Sequence, residues 1–164
     1  MNKNFIGLVI VLAGLALIFW LAKPTPPSGS SDDTTGVSGA LSAEETVFDF
    51  GSISMANGKV GHVFTIKNAS TSPVVINKMY TSCMCTTAEL NIDGRSFGPY
   101  GMPGHMPVPM IKETIEAGAR AQVEVIFDPN AHGPAGVGLI DREIIIENSS
   151  EIPFRLKIKG IVTP

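Results

Sequence analysis

The chain has 164 residues, a formal net charge of -3 and 16% charged residues. That length suits one domain with a tail, and the small charge, without any basic cluster, excludes a nucleic-acid partner. Gly 17 and Pro 12, with few helix-favouring stretches, point to many turns and hence to β structure.

Residues 5–22 form an unbroken apolar run. As a helix it would be about 27 Å long at roughly 1.5 Å per residue, close to the hydrocarbon thickness of a bilayer. Phe19 and Trp20 sit near its outer end, where aromatic belts form. Residues 1–22 are therefore expected to be an N-terminal membrane anchor, single-pass, with the remainder facing the periplasm or cell exterior. A cleaved signal sequence is the alternative, but no A-x-A site follows the run directly. Both readings export the C-terminal part. No cysteine follows the run, which argues against a lipoprotein anchor. Residues 23–43 read as a flexible linker, since the stretch 24–39 holds almost nothing apolar.

From about Glu44 the pattern changes to period two. Val60, His62, Phe64 and Ile66 alternate with Gly61, Val63, Thr65 and Lys67. Ala121, Val123, Val125 and Phe127 alternate with Gln122 and Glu124. Ile140, Ile144 and Ile146 share a face with Arg142, while Asp141, Glu143 and Glu147 face away. Ile152, Phe154, Leu156, Ile158 and Val162 alternate with basic residues, as in a half-buried antiparallel strand. Residues 46–50 and 73–79 are shorter candidates. Turn signals separate them: Ala56-Asn57-Gly58, the run from Asn68 to Pro73, Glu116-Ala117-Gly118, Asp128-Pro129-Asn130 and Glu147-Asn148-Ser149-Ser150. About seven short strands over residues 44–164 predict an all-β fold, a single Ig-like antiparallel β-sandwich.

Several pieces then carry a resemblance: Phe48-Asp49-Phe50-Gly51-Ser52-Ile53, His62-Val63-Phe64-Thr65-Ile66-Lys67-Asn68, Ser82-Cys83-Met84-Cys85-Thr86, Val125-Ile126-Phe127-Asp128-Pro129 and Ile158-Lys159-Gly160-Ile161-Val162. In this order and spacing the chain resembles the bacterial domain-of-unknown-function 1573 family over most of residues 44–164. The resemblance implies an Ig-like domain similar to Hydin-type and major-sperm-protein-type β-sandwiches. It implies no activity, because none is established for the family. Met84 stands where the family usually has glycine between its cysteines, and residues 91–112 are longer than usual and rich in Gly, Pro and Met.

Chemistry-bearing residues concentrate in two places. Cys83 and Cys85 are the two cysteines of the chain. In an extended run they would share a face, and a disulfide between them would require a bend to reach the usual Cα separation. So small a ring gains little as a staple. Three readings stay open: buried thiols, a labile redox pair, or metal ligands. Met102, Met106 and Met110 are spaced by four, with His105 beside Met106, in a proline-rich loop. They read as flexible apolar filler, or as soft ligands that fold over the cysteines to bind Cu(I). His132, in a glycine-rich loop, caps backbone groups or adds an imidazole ligand. His62 reads as a hydrogen-bonded core histidine. Arg142 is expected to pair with a carboxylate such as Asp128, or to snorkel.

No nucleophile elbow and no acid/base carboxylate pair appears, so no enzymatic activity is expected. The expected function is an extracytoplasmic interaction or scaffolding module with a protein partner. The alternatives are a Cu(I)-binding or copper-handling protein, and a thiol-redox protein.

Overall fold

The computed structural model describes residues 36–164. The expected membrane span at 5–22 and the first part of the expected linker, 23–35, lie outside the described residues. Among those described, no helix is long and apolar enough to cross a membrane.

Eleven strands follow in order: β1 (Gly36–Ser38), β2 (Leu41–Ala43), β3 (Val47–Ser54), β4 (Val60–Asn68), β5 (Val74–Thr81), β6 (Thr86–Ile92), β7 (Arg95–Tyr100), β8 (Glu113–Ile115), β9 (Arg120–Phe127), β10 (Gly138–Asn148) and β11 (Phe154–Thr163). They form a two-sheet β-sandwich. One sheet has the order β1-β2-β4-β9-β6-β7 and the other β3-β11-β10-β5-β8. Neighbours are antiparallel except β3, which runs parallel to β11.

The alternation seen in the sequence becomes the two faces of each layer. In β4 and β9, Phe64, Ile66, Val123, Val125 and Phe127 are buried, and Val63, Thr65, Gln122 and Glu124 are exposed. Phe64 lies opposite Val123, and His62 opposite Val125. From the other sheet Ile144, Ile146, Phe154, Leu156 and Ile158 close the core. Removing these faces from water, at roughly 25 cal/mol per Å² of apolar surface, is the main force holding the layers together.

Two strand ends repeat one device. At the end of β4, Asn68 donates through Nδ2 to Ser72 O (2.8 Å) and Ile115 O (2.9 Å). Its Oδ1 accepts from Ser70 N (3.0 Å) and Ser70 Oγ (2.7 Å). At the end of β10, Asn148 donates to Ile152 O (3.1 Å), and its Oδ1 accepts from Ser150 N (2.8 Å) and Ser150 Oγ (2.6 Å). Each buried amide replaces the ladder partners the strand loses where it turns.

The structure corrects the sequence reading in four places. Within residues 44–164, nine strands replace about seven. The expected linker end, residues 36–43, is a hairpin whose β2 pairs with β4, because Leu41 and Ala43 are fully or nearly buried. β6, β7 and β8 lie in segments where no strand was expected. Ile152, expected on the buried face, is 53% exposed ahead of β11.

Candidate functional site: the Cys83–Cys85 turn

Residues 82–85 form a tight turn where the chain passes from one sheet to the other, between β5 and β6. This corrects the expected extended run. The turn closes when Thr86 N donates to Cys83 O at 3.1 Å. The buried Thr81 hydroxyl bridges both ends, lying 3.0 Å from Cys83 O and 2.9 Å from Thr86 O. The bend brings the two Cα atoms to 5.3 Å, and the sulfurs are joined as a disulfide.

Two backbone anchors place the turn. Ser82 N donates to Glu143 O (2.9 Å) and Ser82 Oγ accepts from Glu143 N (2.9 Å), which fixes it to β10. Asp128 N donates to Cys85 O (2.8 Å), which fixes it to the end of β9. Each anchor delivers a side chain. Arg142, next to Glu143, donates from Nε to Cys85 Sγ (3.4 Å) and from its terminal nitrogen to Asp141 O (3.0 Å). The expected partner of Arg142, Asp128, instead pairs with Lys59 at 3.8 Å. His132 follows the turn that Asp128 opens, where Asp128 Oδ1 accepts from Asn130 N at 2.9 Å. His132 stands at the cap position of the short 3-10 turn Gly133–Gly136 but makes no side-chain cap bond. Its Nε2 lies 3.2 Å from Cys83 Sγ instead. The two sulfurs differ in access: Cys85 is 2% exposed, and Cys83 is half-buried between exposed Ser82 and Met84.

Cys83, Cys85 and His132 thus bring their ligand atoms within 4.8 Å of one another, the one such group of His, Cys, Asp and Glu among the described residues. As a disulfide the sulfurs lack the thiolate charge a metal needs; reduced, two thiolates and an imidazole match the soft-ligand preference of Cu(I). The Met/His loop starts at the same end of the sandwich, where Gly101 O accepts from Thr81 N (3.2 Å). It folds on itself through bonds from His105 N and Met106 N to Met102 O (3.1 and 3.0 Å). The Met106 sulfur covers Gly101, filling the space a Cβ there would occupy. His105 is exposed and outside the Cys83–Cys85–His132 group, and Met110 is 50% exposed. His62 stacks on Phe48 at 3.6 Å between centroids and meets Glu45 Oε2 at 3.1 Å, a partly buried structural histidine.

Residues 41–97 match the family described as "Protein of unknown function (DUF1573)". Over these residues the chain is similar to that family. The DUF1573 match is shorter than the expected 44–164: it holds both cysteines but ends before His132 and Arg142. No curated protein matches the chain. Solved structures do. A protein of unknown function from Porphyromonas gingivalis W83 is 16% identical with a TM-score of 0.54, covering 77% of this chain and 50% of its own. The secreted serine protease VesC from Vibrio cholerae is 14% identical with a TM-score of 0.49, covering 77% and 24%. PapD-like domain 7 of human CEP192 is 13% identical with a TM-score of 0.44, covering 87% and 95%. The chain spans half of the first protein and about a quarter of the second. The Porphyromonas likeness shows a shared fold.

Proposed function

We propose that the chain is an Ig-like binding module, held outside the cytoplasm by residues 5–22, that works by docking a protein partner and has no active site for turning over a small molecule. The observation that carries the docking is an apolar pair on the outer face of the β3-β11-β10 layer. Leu139 is 85% exposed and lies directly opposite Ile161, which is 49% exposed. They border a cleft of about 390 Å³ lined also by Asp49, Gly51, Asp141 and Lys159. An apolar centre with a charged rim is the usual anatomy of a protein interface. Among the described residues, strand β3 beside the cleft pairs on one side only, and such a sheet edge suits an added strand.

A photo-crosslinking residue at position 139 of the full chain, expressed in intact cells, tests this. One discrete protein adduct is expected at 139 and none at exposed Gln122 of the other sheet; Ile161→Asp abolishes the adduct. No adduct at 139, or one indifferent to Ile161→Asp, refutes the docking face. The anchor is tested separately. Carbonate-washed membranes are expected to retain full-length chain, and a soluble form starting after residue 22 refutes it.

A further inference from the structure

We propose that Cys83 and Cys85 form a thiol–disulfide exchange site for a protein dithiol, with Cys83 as the attacked sulfur and Arg142 holding the leaving thiolate of Cys85. The proposal is independent of the Leu139–Ile161 docking face.

Four observations converge. The two cysteines are two residues apart, so their bond closes too short a loop to gain much chain-entropy stabilisation. The flanking backbone is already held by the Thr81 hydroxyl and the anchors to Glu143 and Asp128. A structural staple is redundant there. The sulfurs are unequal, because Cys85 is 2% exposed while Cys83 sits at the tip of the turn between exposed Ser82 and Met84. An incoming thiolate therefore reaches Cys83. Each sulfur also has its own donor: Arg142 Nε at 3.4 Å from Cys85 Sγ, and His132 Nε2 at 3.2 Å from Cys83 Sγ. A fixed cation beside a leaving sulfur stabilises its thiolate and speeds its departure.

The step balances without further reagents. A thiolate of the partner attacks Cys83 Sγ and forms a mixed disulfide. The Cys83–Cys85 bond breaks, and its electron pair passes to Cys85 Sγ beside Arg142. The partner's second thiol then attacks its own sulfur in the mixed disulfide and releases Cys83 as a thiolate, to which the His132 N–H donates in the Nε2-protonated tautomer. Two electrons pass to the chain, and the partner dithiol leaves as a disulfide; its two protons go to solvent or to the new thiolates. The reverse sequence reduces a partner disulfide.

The test uses the full chain in detergent micelles. In Cys85→Ser the remaining Cys83 should react with glutathione disulfide at least about tenfold faster than Cys85 does in Cys83→Ser, because the buried Cys85 is out of reach of the reagent. Equal rates, or a faster Cys85, overturn the assignment. Reduction of the oxidised wild-type chain by dithiothreitol, followed by mass shift on maleimide labelling, reads the second role. Arg142→Met should slow it about fivefold to tenfold, the leaving-group effect of losing a neighbouring cation. Arg142→Lys, which keeps the charge, should stay within about twofold of wild type. An Arg142→Met rate equal to wild type, or equal slowing in both variants, overturns the role of Arg142. Thermal unfolding of the oxidised variants checks that they fold, and the two cysteine variants decide the attacked sulfur whatever that shows.

Discussion

Replacing Asn68 with alanine removes four hydrogen bonds at one turn. Two are donated to Ser72 O and Ile115 O, at 2.8 and 2.9 Å, and two are accepted from Ser70, at 3.0 and 2.7 Å. Asn68 is 0% exposed, so water does not replace the bond to Ile115 O. Each bond contributes about 1 kcal/mol net, and an orphaned buried carbonyl costs as much again or more. The Ser70 hydroxyl and amide regain solvent and return part of this. The expected loss is about 3 kcal/mol. Asn148→Ala is a control with the same motif and weaker donation: its Nδ2 bonds are 3.1 Å to Ile152 O and 3.5 Å to Ile146 O. It should cost about 2 kcal/mol by the same reckoning. Urea unfolding of residues 36–164, followed by far-ultraviolet circular dichroism, should show the Asn68→Ala midpoint lowered by about 2 M at an unchanged slope near 1.5 kcal/mol per M. A loss below about 1 kcal/mol, or a larger loss in Asn148→Ala, would refute the reasoning that these amides close the turns.

Leu156→Ala should cost about 2 to 5 kcal/mol by leaving a cavity between the sheets. Lys157→Ala, on the opposite face with ion pairs to Asp141 at 3.5 Å and Glu143 at 4.0 Å, should cost under about 0.5 kcal/mol; equal losses would reverse the face assignment. A fragment starting at residue 44 lacks the buried Leu41 and Ala43, and should be about 2 to 4 kcal/mol less stable in urea than one starting at 36. Indistinguishable curves would return residues 36–43 to the linker. Burial, then the Glu113 carboxylate, push the Tyr100 phenol above its ordinary 10.0. The folded state therefore keeps a proton that the unfolded state loses. That contribution is present below about pH 10 and is lost as pH rises through the raised value, so Tyr100→Phe should show a flatter alkaline decline in urea midpoint than wild type.

Strands with strong apolar alternation were legible from the sequence. Phe64 and Ile66 in β4, and Phe154, Leu156 and Ile158 in β11, declare their buried faces through residue type alone. Strand β6 has the same burial rhythm at Thr86, Ala88, Leu90 and Ile92, but two of these residues are too small or polar to signal it. Burial there comes from β9 and β7 on either side, which is tertiary context. The candidate site divides the same way. Its cysteines are two positions apart and visible, whereas His132 and Arg142 lie 49 and 57 residues from their sulfurs. No spacing rule links them, because the backbone anchors from Ser82 to Glu143 and from Asp128 to Cys85 make the contact. The one available signal was Arg142 on an otherwise apolar face, where a cation must find a partner. That partner is a sulfur, and the carboxylate assignment failed for want of the fold.

The two turn-closing asparagines have a consequence for production of the protein. Each begins an Asn-x-Ser triplet, Asn68-Ala69-Ser70 and Asn148-Ser149-Ser150. A eukaryotic secretory host reads that triplet as an acceptor for an N-linked glycan. The nitrogen that would carry the sugar is the one each turn commits to main-chain carbonyls, on side chains that end up 0% and 5% exposed. A glycan attached before the turn forms would occupy that nitrogen and hold the asparagine at the surface, so the modified chain would be unable to close its sandwich. Ser70→Ala and Ser150→Ala erase both acceptor triplets while leaving the asparagine donors in place, which makes the serines the positions to change for such a host.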